Sequence, residues 1–176
     1  CYECKYSKFN HYGILLLLII KHWRELFLST WQYFFSVLLN YMIYKTDEEK
    51  MEVALAEAKK ALVIDEIPVG AALFDNEHNL ICSAHNQREL KQNPVAHAEI
   101  LVLQKSAELL CTWRLENTTL AVTLEPDAMC SGAIVLARVK TLLYGAANLK
   151  AGAAYSLYNI PQDPRLNHYV EIKDNI

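Results

Sequence analysis

The sequence has 176 residues, 53% of them hydrophobic and 21% charged, which suits one globular domain with a sizeable core and excludes a disordered chain. Its formal net charge of −3 excludes a protein that binds nucleic acid over a broadly basic surface, so any such contact must be a local patch or involve a second subunit. Five cysteines, an odd number, lack the density of a secreted disulfide scaffold, and we therefore expect a cytoplasmic protein.

Residues 1–45 differ from the rest of the chain. They contain an apolar run at 14–20 and an uncharged stretch at 26–44, and the second is long enough to cross a bilayer. Polar residues within this stretch argue against a membrane anchor, and no small-residue cleavage site follows the first run, which argues against a signal peptide. We interpret residues 1–45 as upstream translated or otherwise non-native sequence, with Met42 as a natural start, and we expect no attachment to a membrane.

From Thr46 to the end, at residue 176, the pattern is that of an ordered domain. Thr46 and Glu49 form a capping box, and apolar residues follow at intervals of three and four, which predicts a helix. In chain order, the pattern then predicts strands at 69–74 and 80–84, a helix at 96–110, a strand at 119–124, a short helix at 130–137, and strands at 141–144 and 170–172. Two successive strands followed by alternating helices and strands predict a mixed sheet with helices on its faces.

The residues that carry chemistry lie at the starts of two of these helices. His97 and Glu99 open one helix, and Asp127 and Cys130 open the next, so all four side chains can reach one crevice. An imidazole and a thiolate are good zinc ligands, and a nearby carboxylate that does not ligate can carry protons. Asp127 is either a third zinc ligand or only the cap of the helix that follows it.

This arrangement resembles the H-x-E and P-C-x-x-C signature of zinc-dependent nucleobase deaminases. The likeness extends from about Met51 to the end of the chain and is closest to bacterial tRNA adenosine deaminases. The stretches that carry it are residues 66–71, Asn86, and residues 94–100, 122–126, 130–133, 145–146, 150–154 and 166–168.

The resemblance implies a cytidine-deaminase-like α/β fold, in which three α/β/α layers enclose a central mixed five-stranded sheet. It also implies that zinc-bound hydroxide attacks C6 of adenine while Glu99 moves protons, so that adenosine becomes inosine. The usual substrate is the wobble adenosine of a tRNA anticodon loop, or another single-stranded nucleic acid, and two identical subunits usually build the RNA surface. The residues implied to hold zinc are His97, Asp127 and Cys130. The residues implied to contact the base or its surroundings are Asn86, Val69, Ala98, Leu124, Pro126 and Asn148.

Three features depart from the family pattern. Asp127 stands where the family has its first cysteine, and Asn148 stands where bacterial relatives usually have an aspartate. The sequence also stops at Ile176, before the C-terminal helix that the family normally has, so we expect a C-terminally truncated domain. Two alternatives therefore stay open: a cytosine or guanine deaminase with the same metal signature, or a degenerate, non-catalytic protein with the deaminase fold.

Overall fold

The computed structural model describes residues 43–176. The proposed non-native segment lies outside the described residues, except for its last three. Within the described part of the chain, no helix combines the length and the apolar character that crossing a membrane requires.

The elements follow the predicted order. They are α1 (Asp47–Val63), β1 (Gly70–Phe74), β2 (Leu80–His85), α2 (Arg88–Lys91), α3 (Ala98–Leu109), β3 (Thr119–Leu124), α4 (Ala128–Leu136), β4 (Thr141–Ala146) and β5 (Glu171–Asp174). The short helix α2 is a departure, because its sequence indicates a loop. Gln92 caps its C-terminus in a left-handed backbone conformation (φ 47°). The Gln92 N–H donates to the carbonyls of Arg88 and Glu89.

The predicted capping box starts α1. Thr46 Oγ1 accepts a hydrogen bond from the Glu49 backbone N–H at 3.1 Å, and the Glu49 carboxylate accepts one from the Thr46 N–H at 3.0 Å. These two bonds satisfy amide groups that have no partner within the helix. The helix then buries Met51, Ala54 and Ala58 against the sheet, so the interval of three and four residues marks its inner face.

The five strands form one mixed sheet in the order β2-β1-β3-β4-β5. Strand β1 pairs antiparallel with both β2 and β3, whereas β3, β4 and β5 run parallel to one another. The carboxyl ends of β3 and β4 therefore meet at one edge of the sheet, where Leu124 pairs with Ala146. In sheets of this kind ligands bind beyond the carboxyl ends of the parallel strands.

The two faces of the sheet carry different helices, which confirms the predicted three-layer α/β/α architecture. Alternate strand residues point to opposite faces because the side-chain period of a strand is two. Leu73, Val122 and Leu142 belong to the core cluster that includes residues of α3 and α4. Phe74, Ala121 and Leu143 belong to the second cluster, with Met51 and Ala54 of α1. Helices α3 and α4 therefore lie on the same face, with their N-termini available to build one site.

Among the described residues, Ile43 and Tyr44, just upstream of the predicted start at residue 46, contact the domain. Ile43 forms a backbone bridge with Asn79, and the Tyr44 N–H donates to the His78 carbonyl at 3.1 Å. The Tyr44 ring also packs edge-on against Phe74, with ring centroids 5.3 Å apart. Ile43 and Tyr44 therefore pack against the hairpin of β1 and β2.

A chain that starts at Met42 should therefore be as stable as the full chain, whereas one that starts at Thr46 should be less stable. The second chain loses the Tyr44–Phe74 pair, and an aromatic pair contributes about 0.5–1.5 kcal/mol beyond its buried area. Thermal unfolding of the three chains measures the difference. Unfolding of the chain that starts at Met42 under conditions where the full chain is folded would place the boundary further upstream.

Candidate active site

The two helix starts identified in the sequence meet at the carboxyl edge of the parallel strands. His97 is the residue immediately before α3, and Asp127 is the residue immediately before α4. Both have extended backbone conformations, which direct the chain from a loop into a helix on the same face of the sheet. Pro126 precedes Asp127 and its carbonyl accepts a hydrogen bond from the Ala153 N–H at 2.8 Å, which fixes the entry to α4.

Three potential metal ligands converge at these helix starts. His97 Nδ1 lies 3.5 Å from Cys130 Sγ and 3.4 Å from Asp127 Oδ2. The ligand atoms of all three residues lie within 4.8 Å of one another. Tetrahedral zinc with bonds of about 2.0–2.3 Å needs ligand atoms roughly 3.3–3.8 Å apart, so both measured separations fit zinc. The structure brings together the three residues that the sequence predicted as ligands.

Asp127 has the geometry for both of its expected roles. Its Oδ1 accepts a hydrogen bond from the Cys130 N–H at 2.9 Å, which confirms that it caps α4. Its Oδ2 is the oxygen that lies near His97 Nδ1. Because the two oxygens of one carboxylate can serve different partners, capping the helix does not turn Asp127 away from the ligand cluster.

Glu99 lies in the first turn of α3 and is buried, with 4% of its surface exposed. Its Oε2 has no hydrogen-bond partner among the described residues. Loss of hydration, together with the charge of nearby Asp127, raises the pKa of Glu99 to about 7. A carboxyl group with a pKa near neutrality can both accept and release a proton at physiological pH.

Burial also raises the pKa of the Cys130 thiol, and the charges of Glu99 and Asp127 add to this effect. The two carboxylates stabilise the neutral thiol and repel a thiolate. A cation among the three ligand atoms reverses this balance, since a coordinated thiol loses its proton.

Two of the residues expected around the base, Asn86 and Ala98, are hydrogen-bonded to each other. Asn86 is buried, and its Oδ1 accepts a hydrogen bond from the Ala98 N–H at 2.9 Å, which ties the end of β2 to the start of α3. Val69 and Pro126 are also buried, and Leu124 is half-buried at the end of β3. The Ala98 N–H is therefore used within the protein, whereas the Asn86 amide group retains its N–H donors for other partners.

Asn148 occupies a turn just beyond β4. Its Oδ1 accepts hydrogen bonds from the N–H groups of Lys150 and Ala151, at 3.3 and 3.1 Å. Its own N–H donates to Glu125 Oε2 at 2.9 Å. The side chain that was expected near a nucleic-acid backbone thus stabilises the turn after β4.

Glu125 is an important residue that the sequence analysis did not single out. It is buried, with 1% of its surface exposed, and lies between Leu124 and Pro126. Its carboxylate accepts hydrogen bonds from the N–H groups of Asn148, Tyr155 and Ser156 at 2.8–2.9 Å, and from the Ser156 hydroxyl. These bonds lower the pKa of Glu125 and hold the loop after β4 against the start of α4.

Comparison with known proteins identifies relatives of this chain. Residues 44–146 match the family described as the cytidine and deoxycytidylate deaminase zinc-binding region. The chain is 46% identical over 130 residues to the tRNA-specific adenosine deaminase of Bacillus subtilis, covering 74% of this chain and 80% of the relative. It is 42% identical over 130 residues to the enzyme of the same name from Haemophilus influenzae, covering 74% of this chain and 75% of the relative.

Two solved structures are similar to this chain. One is a tRNA deaminase of A-to-I editing at the wobble position of transfer RNA, with 37% identity and a TM-score of 0.69 over 72% of this chain and 91% of that one. A guanine deaminase from Nitrosomonas europaea has 22% identity and a TM-score of 0.63, over 76% of this chain and 79% of that one, and shares the fold.

Proposed function

The chain belongs to the cytidine and deoxycytidylate deaminase family, and on this basis we propose that it is a zinc-dependent hydrolase that converts adenosine to inosine in transfer RNA, at the wobble position of the anticodon. One observation carries the proposal. The imidazole of His97, the carboxylate of Asp127 and the thiol of Cys130 converge beside the buried carboxyl group of Glu99. Hydrolytic deamination of a base needs three protein ligands for a metal beside a carboxyl group that carries protons, and this cluster supplies both, with a carboxylate in place of one thiolate of the signature.

We assign His97 Nδ1, Asp127 Oδ2 and Cys130 Sγ as the groups that hold zinc. Zinc held there supplies Lewis acidity, which makes a water molecule nucleophilic near neutral pH. The three side chains that would hold the ion come from the starts of two helices on one face of the sheet. Asp127 Oδ1 keeps the carboxylate in place through its hydrogen bond to the Cys130 N–H.

Glu99 acts as the proton carrier in this proposal. Its Oε2 accepts a proton from the attacking water and delivers it to N1 of adenine, and a second proton transfer allows ammonia to leave C6. The reaction consumes one water and releases one ammonia, and Glu99 regains its starting protonation state. Burial raises the pKa of this carboxyl group, so it takes up a proton more readily than an exposed glutamate does.

The walls of the crevice bind and orient the base. We propose that the Asn86 amide donates hydrogen bonds to adenine, since its Oδ1 is already held by the Ala98 N–H. Val69, Leu124 and Pro126 supply apolar contacts that exclude bulk water from the reacting atoms. Asn148 contributes by shaping the turn after β4, beside the path of the nucleic-acid backbone.

A comparison of substrates tests the assignment of the base. The zinc-loaded protein is incubated with an anticodon stem-loop that carries adenosine at the wobble position, and in parallel with cytidine, cytosine and guanine. We expect inosine in the RNA and no deamination of the other three compounds. Deamination of cytosine or guanine instead would identify one of the rival enzymes of this fold, and no product from any substrate at full zinc would indicate a non-catalytic relative.

We also propose that two copies of the chain form a homodimer. An apolar groove of about 340 Å³ is lined by residues of α3, of α4 and of the segment between α3 and β3. It is lined by exposed Trp113 and Leu136, which have 54% and 67% of their surfaces accessible, and by Ile100 and Ala133. Exposed apolar surface of this kind is typical of protein interfaces.

The replacement Leu136→Asp should convert the dimer to a monomer, because a charge buried at an apolar interface lacks a partner. We expect the dimer dissociation constant to rise by about 100-fold or more, measured by sedimentation equilibrium. Leu62→Asp is the matched control, since Leu62 is similarly exposed on α1, at 62%, on the other face of the sheet. If both variants dissociate alike, or neither does, the groove is not the interface.

Location in the cytoplasm is part of the same proposal. Cys82 and Cys130 are both buried thiols. A ligand set that includes a cysteine needs that thiol to stay reduced, which the cytoplasm favours.

A further inference from the structure

The loop between β4 and β5 exposes a group of large side chains beside the site. Tyr155 has 77% of its surface accessible and Tyr158 has 61%. Leu149 and Leu157 in the same loop are also exposed, at 79% and 51%. Neither tyrosine belongs to either of the two hydrophobic clusters of the core, so packing within the described residues does not explain them.

The backbone of this loop is held firmly. The N–H groups of Tyr155 and Ser156 both donate to Glu125 Oε1 at 2.8 Å, and Glu125 is buried at the end of β3. The Leu157 N–H donates to the Gly152 carbonyl at 3.0 Å, which folds the segment into a compact turn. Gly152 must be glycine here, because a Cβ would overlap the Glu125 carboxylate. Exposed rings thus stand on a fixed base, which limits the entropy lost on binding.

The loop is also fixed next to the proposed zinc ligands. The Ala153 N–H donates to the Pro126 carbonyl, and Gly152 forms a backbone bridge with Asp127. Tyr155 follows Ala153 by two residues, and its own N–H donates to Glu125. The backbone of Tyr155 is therefore held close to Pro126 and Asp127, which directly follow Glu125 in the chain. The loop therefore lies directly beside Pro126 and the proposed ligand Asp127.

We propose that Tyr155 and Tyr158 form a stacking platform for the unpaired nucleotides next to the target adenosine. The inference rests on the proposed function and deepens it by assigning where the flanking RNA binds. Unpaired bases stack on aromatic side chains in many RNA-binding proteins, and a neighbouring cation contacts the phosphate. Lys150, exposed in the same loop, supplies that positive charge.

Two observations favour RNA over a second protein as the partner: the charge of the loop and the position of the apolar groove. The segment from Asn148 to Ile160 contains one charged residue, Lys150, which is exposed, so the surface that carries the two rings is positively charged and suits a phosphate backbone. The apolar groove proposed as the dimer interface is formed by α3 and α4 and contains no residue of this loop.

The test compares the affinity of variants for an anticodon stem-loop. The double variant Tyr155→Ala/Tyr158→Ala should bind the labelled RNA about 10-fold to 100-fold more weakly in fluorescence anisotropy, as expected when base stacking is lost. Tyr155→Phe/Tyr158→Phe should bind like the parent, because stacking uses the ring face. Stem-loops with 2-aminopurine beside the target should show a change of fluorescence on binding the parent, and not on binding the alanine variant.

Tyr169→Ala is the matched control. Tyr169 is equally exposed, at 65%, but it precedes β5, whose first residue pairs with Thr141 at the opposite end of the parallel strands from the site. Its loss should leave the affinity unchanged.

The outcomes separate this inference from the function on which it rests. A parent that deaminates the stem-loop while the alanine variant binds it as tightly overturns the platform alone. A parent that neither binds nor deaminates the RNA overturns the proposed function and the platform with it. If the double alanine variant binds RNA normally but no longer dimerises, the surface of Tyr155 and Tyr158 is a protein interface. That result also overturns the platform.

Discussion

The replacement Glu99→Gln should lower kcat for inosine formation by roughly 10²-fold to 10⁴-fold, the usual contribution of a general acid and base, while the protein keeps its zinc. Glutamine has almost the same shape as glutamate but cannot accept a proton from water near neutral pH. Glu99 is buried within α3, and its Oε2 has no partner among the described residues, so the substitution breaks no hydrogen bond at that atom. Single-turnover kinetics on an anticodon stem-loop, with zinc measured per chain, gives both quantities.

The control for this prediction is Glu108→Gln. Glu108 lies on the same helix but is exposed to solvent, so its loss should change neither kcat nor the zinc content. Loss of zinc from Glu99→Gln would mean that Glu99 is a ligand. Normal turnover in that variant would mean that another group carries the proton.

The replacement Asp127→Cys should raise the zinc affinity and the rate of deamination. The signature of this enzyme class uses two thiolates and one imidazole, whereas this chain offers one thiolate, one imidazole and one carboxylate. Thiolate sulfur is a softer donor than carboxylate oxygen and suits zinc better. The cost is the helix cap, because Asp127 Oδ1 accepts a hydrogen bond from the Cys130 N–H, and losing a cap costs about 0.5–2 kcal/mol. We therefore expect the Asp127→Cys variant to bind zinc more tightly than the parent. Without metal, the variant should be slightly less stable than the metal-free parent.

Asp127→Asn separates the two roles of this residue. Asparagine caps a helix about as well as aspartate, but its neutral amide is a poor zinc ligand. This variant should keep the stability of the metal-free parent and lose most of its zinc. Equal zinc content in the parent, the cysteine variant and the asparagine variant would show that Asp127 does not ligate.

The pH dependence of zinc binding gives a second measurement on the same proteins. Burial, together with the charges of Glu99 and Asp127, raises the pKa of the Cys130 thiol, so zinc displaces a proton when it binds. Proton release makes the affinity rise with pH throughout the range below that raised pKa. A zinc affinity that does not change with pH would contradict the participation of Cys130.

The sequence predicted those features that depend on local pattern. The capping box at Thr46 and Glu49 starts a helix as expected, and strand β3 has the predicted bounds. His97 and Asp127 each directly precede a helix, so the prediction that their neighbours meet at two helix starts needed only local signals and the topology of a mixed sheet. The mixed sheet and the meeting of the two helix starts could therefore be predicted from the pattern, whereas the specific fold and the full set of three ligands were implied by the family resemblance.

Features that depend on contacts between residues distant in sequence could not be predicted from the sequence. Glu125 binds backbone amides that lie 23 to 31 residues further along the chain, and no local pattern marks those partners. Its signal was a charged residue at the end of an otherwise apolar strand, beside Leu124. Helix α2 has four residues and no side-chain cap, so neither periodicity nor capping identified it. Tyr44 was assigned to the upstream segment because its partner, Phe74, is thirty residues away.

The central claim is that zinc held by His97, Asp127 and Cys130 is required for adenosine deamination in transfer RNA. The most direct measurement removes metal from the protein with a chelator, returns zinc in steps and records inosine formed in an anticodon stem-loop at each step. We expect inosine formation to rise in proportion to bound zinc and to reach its maximum at about one zinc per chain. Inosine formation that is independent of zinc, or a fully loaded protein that forms none, would contradict it.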